Sequence, residues 1–175
     1  MNVMDAIQNR REITHYQDKK VPPEDLELII NAGYLAPSGN NLPSKEFVLV
    51  TNPNMLIHLS QTTSYVPWLS TATAAIVVLG RPDVSKYWLQ DTSIACGFVW
   101  LEAVERGVGA AFGAVYHAED ARESTRREEY VRKALGIPHD RCVVAILGLG
   151  YPAKEPEAKV LLPRETIVHY ESFKG

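Results

Sequence analysis

The chain has 175 residues, 46% of them hydrophobic and 22% charged, enough for one sizeable core. A formal net charge of -3 and a sequence pI near 6.0 give no overall attraction for nucleic acid or an anionic membrane. Two cysteines, Cys96 and Cys142, without a CxxC pair suggest neither a disulfide framework nor a zinc site; the opening MNVMDAIQNRRE turns charged before an apolar stretch can build a signal peptide, and no later run is long enough to span a bilayer. The expectation is one domain over 1–175, cytoplasmic, without metal, nucleic acid or membrane as partner.

Val3, Ala6 and Ile7 predict a short helix over 3–9, followed by the basic pair Arg10-Arg11. Pro22 and Pro23 mark a second helix start, with Glu24 and Asp25 at its positive end. Leu26, Ile29, Ile30, Gly33 and Tyr34 form its apolar face, and Pro37 pushes Ala36 out of helical geometry. The stretch "LAPSGNNLPSKEF" then places turn-forming, hydrogen-bonding residues where a tight turn would suffice. Next come a strand at 47–51, a short helix over Pro53–Leu59 and a strand at 74–80. The segment from Tyr87 to Arg106 is the longest helix; Ile94, Ala95, Phe98, Val99, Leu101 and Val104 leave it little polar face, so it is a central helix or an interface helix. A strand at 110–116, a charged surface helix at 121–134 ending at Gly136-Ile137-Pro138, and a fully apolar strand at 142–150 complete the core. The tail, 151–175, has three prolines and no period, and reads as an arm that needs a surface to lie on. Interleaved helices and short strands favour an α+β class.

"GVGAAFG" at 107–113 closes a helix and opens a strand, the reverse of a dinucleotide-binding loop, so Gly107 reads as a helix cap and Gly109 as a point of close approach. Five dispersed histidines offer no metal pattern, and there is no nucleophile elbow or phosphate-binding P-loop. Arg10 and Arg11 with Thr14 can clamp a phosphate or can be a solvated helix end. Arg164 in "LLPRET" is a further candidate cation.

Taken together, "MDAIQNRREITHYQDKKVPPEDLELIINAGYLAPSGNN", "DTSIACGFVWLEAVERGVGAAFGAVY", "ALGIPHDRCVVAILGLGYPAKEP" and "LPRETIVHYESF" resemble, in order, the motifs of the nitroreductase family of FMN-dependent oxidoreductases. The resemblance implies an α/β sandwich with a central mixed sheet, an intertwined homodimer with C-terminal arms (151–175), and a flavin site shared between subunits. It implies a phosphate site at Arg10, Arg11 and Arg164, with Thr14 beside it, and a ring and ribityl site at Pro37, Ser38 and Asn41 of the neighbouring chain. Gly113 and Ala114 are the expected backbone contacts near flavin N5; Tyr65, Trp68 and Phe112 are candidates for the acceptor pocket. The implied chemistry is ping-pong hydride transfer from NADH or NADPH through FMN to a nitroaromatic, a quinone or a related electron-poor acceptor. Glu12 stands where the family pattern has serine, Thr14 replaces a second basic residue, and no glutamine follows Asn41-Leu42. A carboxylate there repels phosphate unless it turns away to pair with an arginine. Two alternatives therefore stay open: a specialised flavoenzyme of the same fold, such as a dehalogenase, dehydrogenase or flavin-fragmenting oxygenase, and a non-catalytic dimeric binding protein without productive flavin binding.

Overall fold

The computed structural model describes residues 2–154 and 156–173. Helix α1, Val3–Asn9, opens on a capping box in which Asn2 Oδ1 accepts from Asp5 N–H (2.9 Å) and Asp5 Oδ2 accepts from Asn2 N–H (3.2 Å). Helix α2, Pro23–Leu35, begins at the two prolines as the sequence predicts. The remaining elements are β1 (Lys45–Val50), α3 (Pro53–Leu59), β2 (Ala74–Gly80), α4 (Trp88–Glu105), β3 (Gly109–Ala114), α5 (Ala121–Leu135) and β4 (Cys142–Gly150), with 3-10 turns at Gly39–Asn41, Pro67–Thr71 and Arg164–Thr166. Gly136 ends α5 in the left-handed region (φ 68°), which a glycine enters without a Cβ clash.

The four strands lie in the order β1-β2-β4-β3, and every pair is antiparallel. The expected mixed sheet is thus corrected, and the reason is geometric. All of β2 and nearly all of β4 are buried on both faces, and such unbroken apolar strands are typical of parallel sheets. Here the excursions 51–73 and 115–141 each return to the end of the sheet they left, so the strands they join run antiparallel. Only α4 crosses the sheet from end to end, and the parallel pair it would create, β2 and β3, is separated by β4. The one parallel contact among the described residues is the isolated bridge between Glu12 and Ala110.

Helices α2 and α4 cover one face over Ile29, Ile76, Val99 and Leu147; α3, α5 and the Pro67–Thr71 turn cover the other over Leu59, Val77, Val131 and Ile146. Each fully buried Leu or Ile side chain contributes about 1.5–3 kcal/mol relative to exposure, and these two cores hold the sheet from both sides. Several apolar side chains escape them. Tyr34, expected on the core face of α2, is exposed, as are Ile94 and Phe98 of α4 in part. Residues 160–173 expose six large apolar side chains, Val160 at 97%.

Candidate functional site

The segment after α1 does not form a helix; it runs along the outer edge of β3. Ile13 N–H donates to Ala110 O (3.0 Å), Gln17 N–H to Tyr151 O (2.8 Å) and Ala153 N–H to His15 O (2.9 Å), so residues 12–17 are stitched between β3 and the start of the tail. Tyr16 fixes this strip from beneath. Its hydroxyl donates to Gly148 O (3.1 Å), its ring lies where a Cβ on Gly150 would sit, and burial, with the charge of Glu12, pushes its phenol well above the usual range.

At the head of the strip the cations gather. Arg10 lays its guanidinium over the Trp100 ring, 4.6 Å from the centroid, and donates to no described residue. Arg11 donates through Nε to Glu157 O (2.7 Å) and through Nη1 to Gln8 O (2.8 Å). Lys159 reaches back from the tail to donate to Ile7 O (2.7 Å), and its ammonium is held below the usual range by desolvation and by the charges of Arg10 and Arg11. The third cation beside the arginine pair is therefore Lys159. Arg164, also expected there, donates to the Tyr170 hydroxyl (2.6 Å). Sequence reasoning missed Lys159 because its contact spans 152 residues of an aperiodic tail.

A cavity of about 340 Å³ lies beside this corner, lined by Arg11, Glu12, Thr14, His15, Lys154 and Glu157. Thr14 Oγ1 is 3.2 Å from His15 Nδ1. Glu12 does turn away from the arginines, but not to pair with one: its Oε1 accepts from Phe112 N–H on the free edge of β3 (3.4 Å). The Ile13–Ala110 and Glu12–Phe112 bonds show that even-numbered residues of β3 turn their backbone groups outward, and the alternation of an antiparallel pair turns the odd ones toward β4. Of the expected backbone pair, Ala114 is at the free edge, its carbonyl 3.4 Å from Arg127 Nη1, while Gly113 faces Ile146.

Pro37, Ser38 and Asn41 line a second cavity of about 380 Å³ together with Leu42, Lys45 and Phe47. This loop leads into Lys45, which pairs with Gly80 near the start of β4, whereas the cation corner adjoins Gly109 and Gly150 at the other end of the sheet. The two sites occupy diagonal corners. At ~4.8 Å per strand gap and ~3.3 Å per residue they stand on the order of 25 Å apart.

Of the three aromatic candidates, Phe112 stands apart from the other two. Phe112 packs on the α2/α4 face, and Trp68 fills the opposite face over Gly148 and Gly113, its Nε1 donating to Tyr65 O (3.0 Å). Tyr65 alone is free, 77% exposed, on the segment whose Val66 packs against Gly113.

The sequence pattern of the nitroreductase family matches residues 7–61, which include Arg10, Arg11 and the 36–44 loop but not Lys159 or the edge of β3. A protein of Archaeoglobus fulgidus, provisionally named NADH dehydrogenase/NAD(P)H nitroreductase, is 36% identical over 155 residues and 86% of each chain. The chain belongs to the nitroreductase family. A similarly named protein of Methanothermobacter thermautotrophicus is 33% identical over 99% of this chain and 88% of its own. Among solved structures, an FMN-dependent nitroreductase from Clostridium difficile matches with a TM-score of 0.88 at 31% identity, covering 97% of this chain and 99% of that one. Nitroreductase-family membership accounts for the antiparallel α/β sandwich, and no helix among the described residues is long and apolar enough to cross a membrane.

Proposed function

We propose that this nitroreductase-family chain is an FMN-dependent NAD(P)H oxidoreductase that acts as a homodimer on electron-poor acceptors such as nitroaromatics or quinones. The observation that carries the reading is the convergence of Arg10, Arg11 and Lys159 beside the free edge of β3. Three clustered cations need an anion, and a phosphate meets that need with charge-assisted hydrogen bonds. The edge backbone groups of Phe112 and Ala114 are suited to the polar rim of a flat ring. These residues fit the phosphate and ring of FMN.

Bound FMN would supply the hydride chemistry, accepting from NADH or NADPH and donating to the acceptor in alternate turns. The chain's part is placement. Arg10, Arg11 and Lys159 hold the phosphate end, with Thr14 beside them, and the β3 edge at Ala114 orients the ring. Pro37, Ser38 and Asn41 of a second copy cover it, because within one copy they lie beyond the reach of a mononucleotide. The exposed Tyr65 is the candidate to stack on an acceptor ring. Glu12 must leave the Phe112 N–H or share it when the ring arrives.

The exposed large apolar side chains of α2, α4 and the tail support the dimer, since an interface would bury them. The test is direct. Purified protein reconstituted with FMN retains one flavin per chain, bleaches anaerobically with NADH or NADPH, recovers its colour with a quinone, and sediments as a dimer. Absence of flavin after reconstitution would leave the non-catalytic binding protein as the better reading.

A further inference from the structure

Asp91 sits in the first turn of α4, where an acidic residue ordinarily faces water and complements the helix dipole. Here it is 3% exposed. Its Oδ1 accepts from Gly39 N–H (2.9 Å) and its Oδ2 from the Ser44 hydroxyl (2.5 Å), so each oxygen holds a different end of the loop 36–44. Lys45 closes the circuit: its Nζ donates to Ala36 O (2.6 Å), and the charge of Asp91 opposes the fall in pKa that burial imposes on its ammonium. A buried carboxylate without such partners would be strongly destabilising.

What the circuit clamps is a strained turn. Asn40 (φ 54°) and Asn41 (φ 56°) are consecutive non-glycine residues in the left-handed region, which asparagine enters more readily than other side chains but ordinarily as a single residue. Ser38 Oγ donates to Leu42 O (2.8 Å) across the same turn. The side-chain amides of Asn40 and Asn41 are exposed and bonded to no other described residue. Gly39 must be glycine, because a Cβ there would fall 2.5 Å from the Tyr87 ring at the foot of α4. Strain of this kind persists where the surroundings over-determine it, and it leaves the amides pointing outward rather than folding back on the loop.

We propose that Asp91 is a positioning residue that locks the Asn40-Asn41 turn in its left-handed form and thereby presents the loop to the flavin of the neighbouring subunit. This rests on the FMN reading above. It acts through Gly39 and Ser44 and touches no ligand itself.

The test compares Asp91→Ala, Asp91→Asn and Ser44→Ala with Val131→Ala, a cavity variant in the core on the opposite face of the sheet. Three quantities are read: FMN Kd by quenching of flavin fluorescence, hydrogen exchange of the Gly39 amide without flavin, and Tm. Asp91→Ala should weaken FMN by on the order of 10- to 100-fold and accelerate Gly39 exchange at least about tenfold. Asp91→Asn should restore most of both, since its Oδ1 still accepts from Gly39 and Ser44 can turn to accept from its amide. Ser44→Ala, which keeps the Gly39 bond and answers the question if Asp91→Ala fails to fold, should weaken FMN by about three- to tenfold. Val131→Ala should lower Tm while leaving Kd and Gly39 exchange within about twofold. Equal losses of affinity in the Asp91 and Val131 variants at equal Tm loss would overturn the proposal. If the wild type binds no FMN, the functional reading falls, and unchanged Gly39 exchange in Asp91→Ala would then separately overturn the clamp.

Discussion

The cation corner and the 36–44 loop are the two halves of the candidate site, and they are built on opposite plans. The loop is compact: Lys45 closes it onto Ala36, and Gly39 and Ser44 are both held by one buried carboxylate, Asp91, at the adjacent end of α4. The corner is assembled from afar, Arg11 meeting Glu157 across 146 residues and Lys159 meeting Ile7 across 152. Shape in the loop comes from buried bonds, while charge at the corner depends on an exposed tail staying in place. The loop should therefore keep its form without ligand, whereas the corner should tighten when an anion arrives.

The sharpest way to break this contrast is to remove charge. Arg10→Ala/Lys159→Ala should weaken FMN by about 3–6 kcal/mol, from roughly 1.5–3 for each charged hydrogen bond, with Tm without flavin almost unchanged. Arg164→Ala, whose guanidinium is held by Tyr170, should change affinity little in the same titration. A large loss from Arg164 and none from Lys159 would return the corner to the arrangement the sequence first suggests.

That arrangement shows what was legible. Helices over 3–9 and 53–59 and strands over 74–80 and 142–150 follow the residues named from periodicity and capping, because those signals are local. Strand direction was not legible, since burial on both faces produces the same apolar run in either orientation. Arg10 and Arg11 announced themselves as an adjacent pair. Lys159 and Asp91 did not: one lysine in a tail and one acid in a helix's first turn have ordinary explanations, and only tertiary contact makes them part of a site.

A second variant tests whether the corner needs its floor. A Cβ on Gly150 would lie 2.7 Å from the Tyr16 ring, so Gly150→Ala should displace the strip 12–17 and destabilise the protein by about 1–3 kcal/mol. It should weaken FMN while Gly39 exchange stays as in the wild type; loss of Gly39 protection would show that the corners are mechanically joined.

Glu12 should give a smaller effect of opposite sign. Replacing it with serine removes a negative charge beside the cations and frees the Phe112 N–H. FMN binding should tighten by about 0.5–1 kcal/mol, more at low salt than at high, because exposed charges are screened within a Debye length. Weaker binding in Glu12→Ser would mean that the carboxylate accepts from the ligand rather than competing with it.

The smallest effect concerns α5, which reaches the free edge of β3 through Arg127 and the Ala114 carbonyl. Hydrogen bonds from Arg126 and then Arg127 hold the Glu123 carboxyl down at about 2, below its ordinary 4.5. A depressed carboxyl stabilises the fold fully above the unfolded value and ceases to do so as pH falls through the folded one, so this contribution disappears between about pH 4.5 and pH 2. Tm of the wild type should therefore fall across that window more steeply than Tm of Glu123→Gln, which carries no titrating group there. Parallel curves would show that the Arg126 and Arg127 contacts are too well solvated to matter, and that the backbone at Ala114 is held by β3 pairing alone.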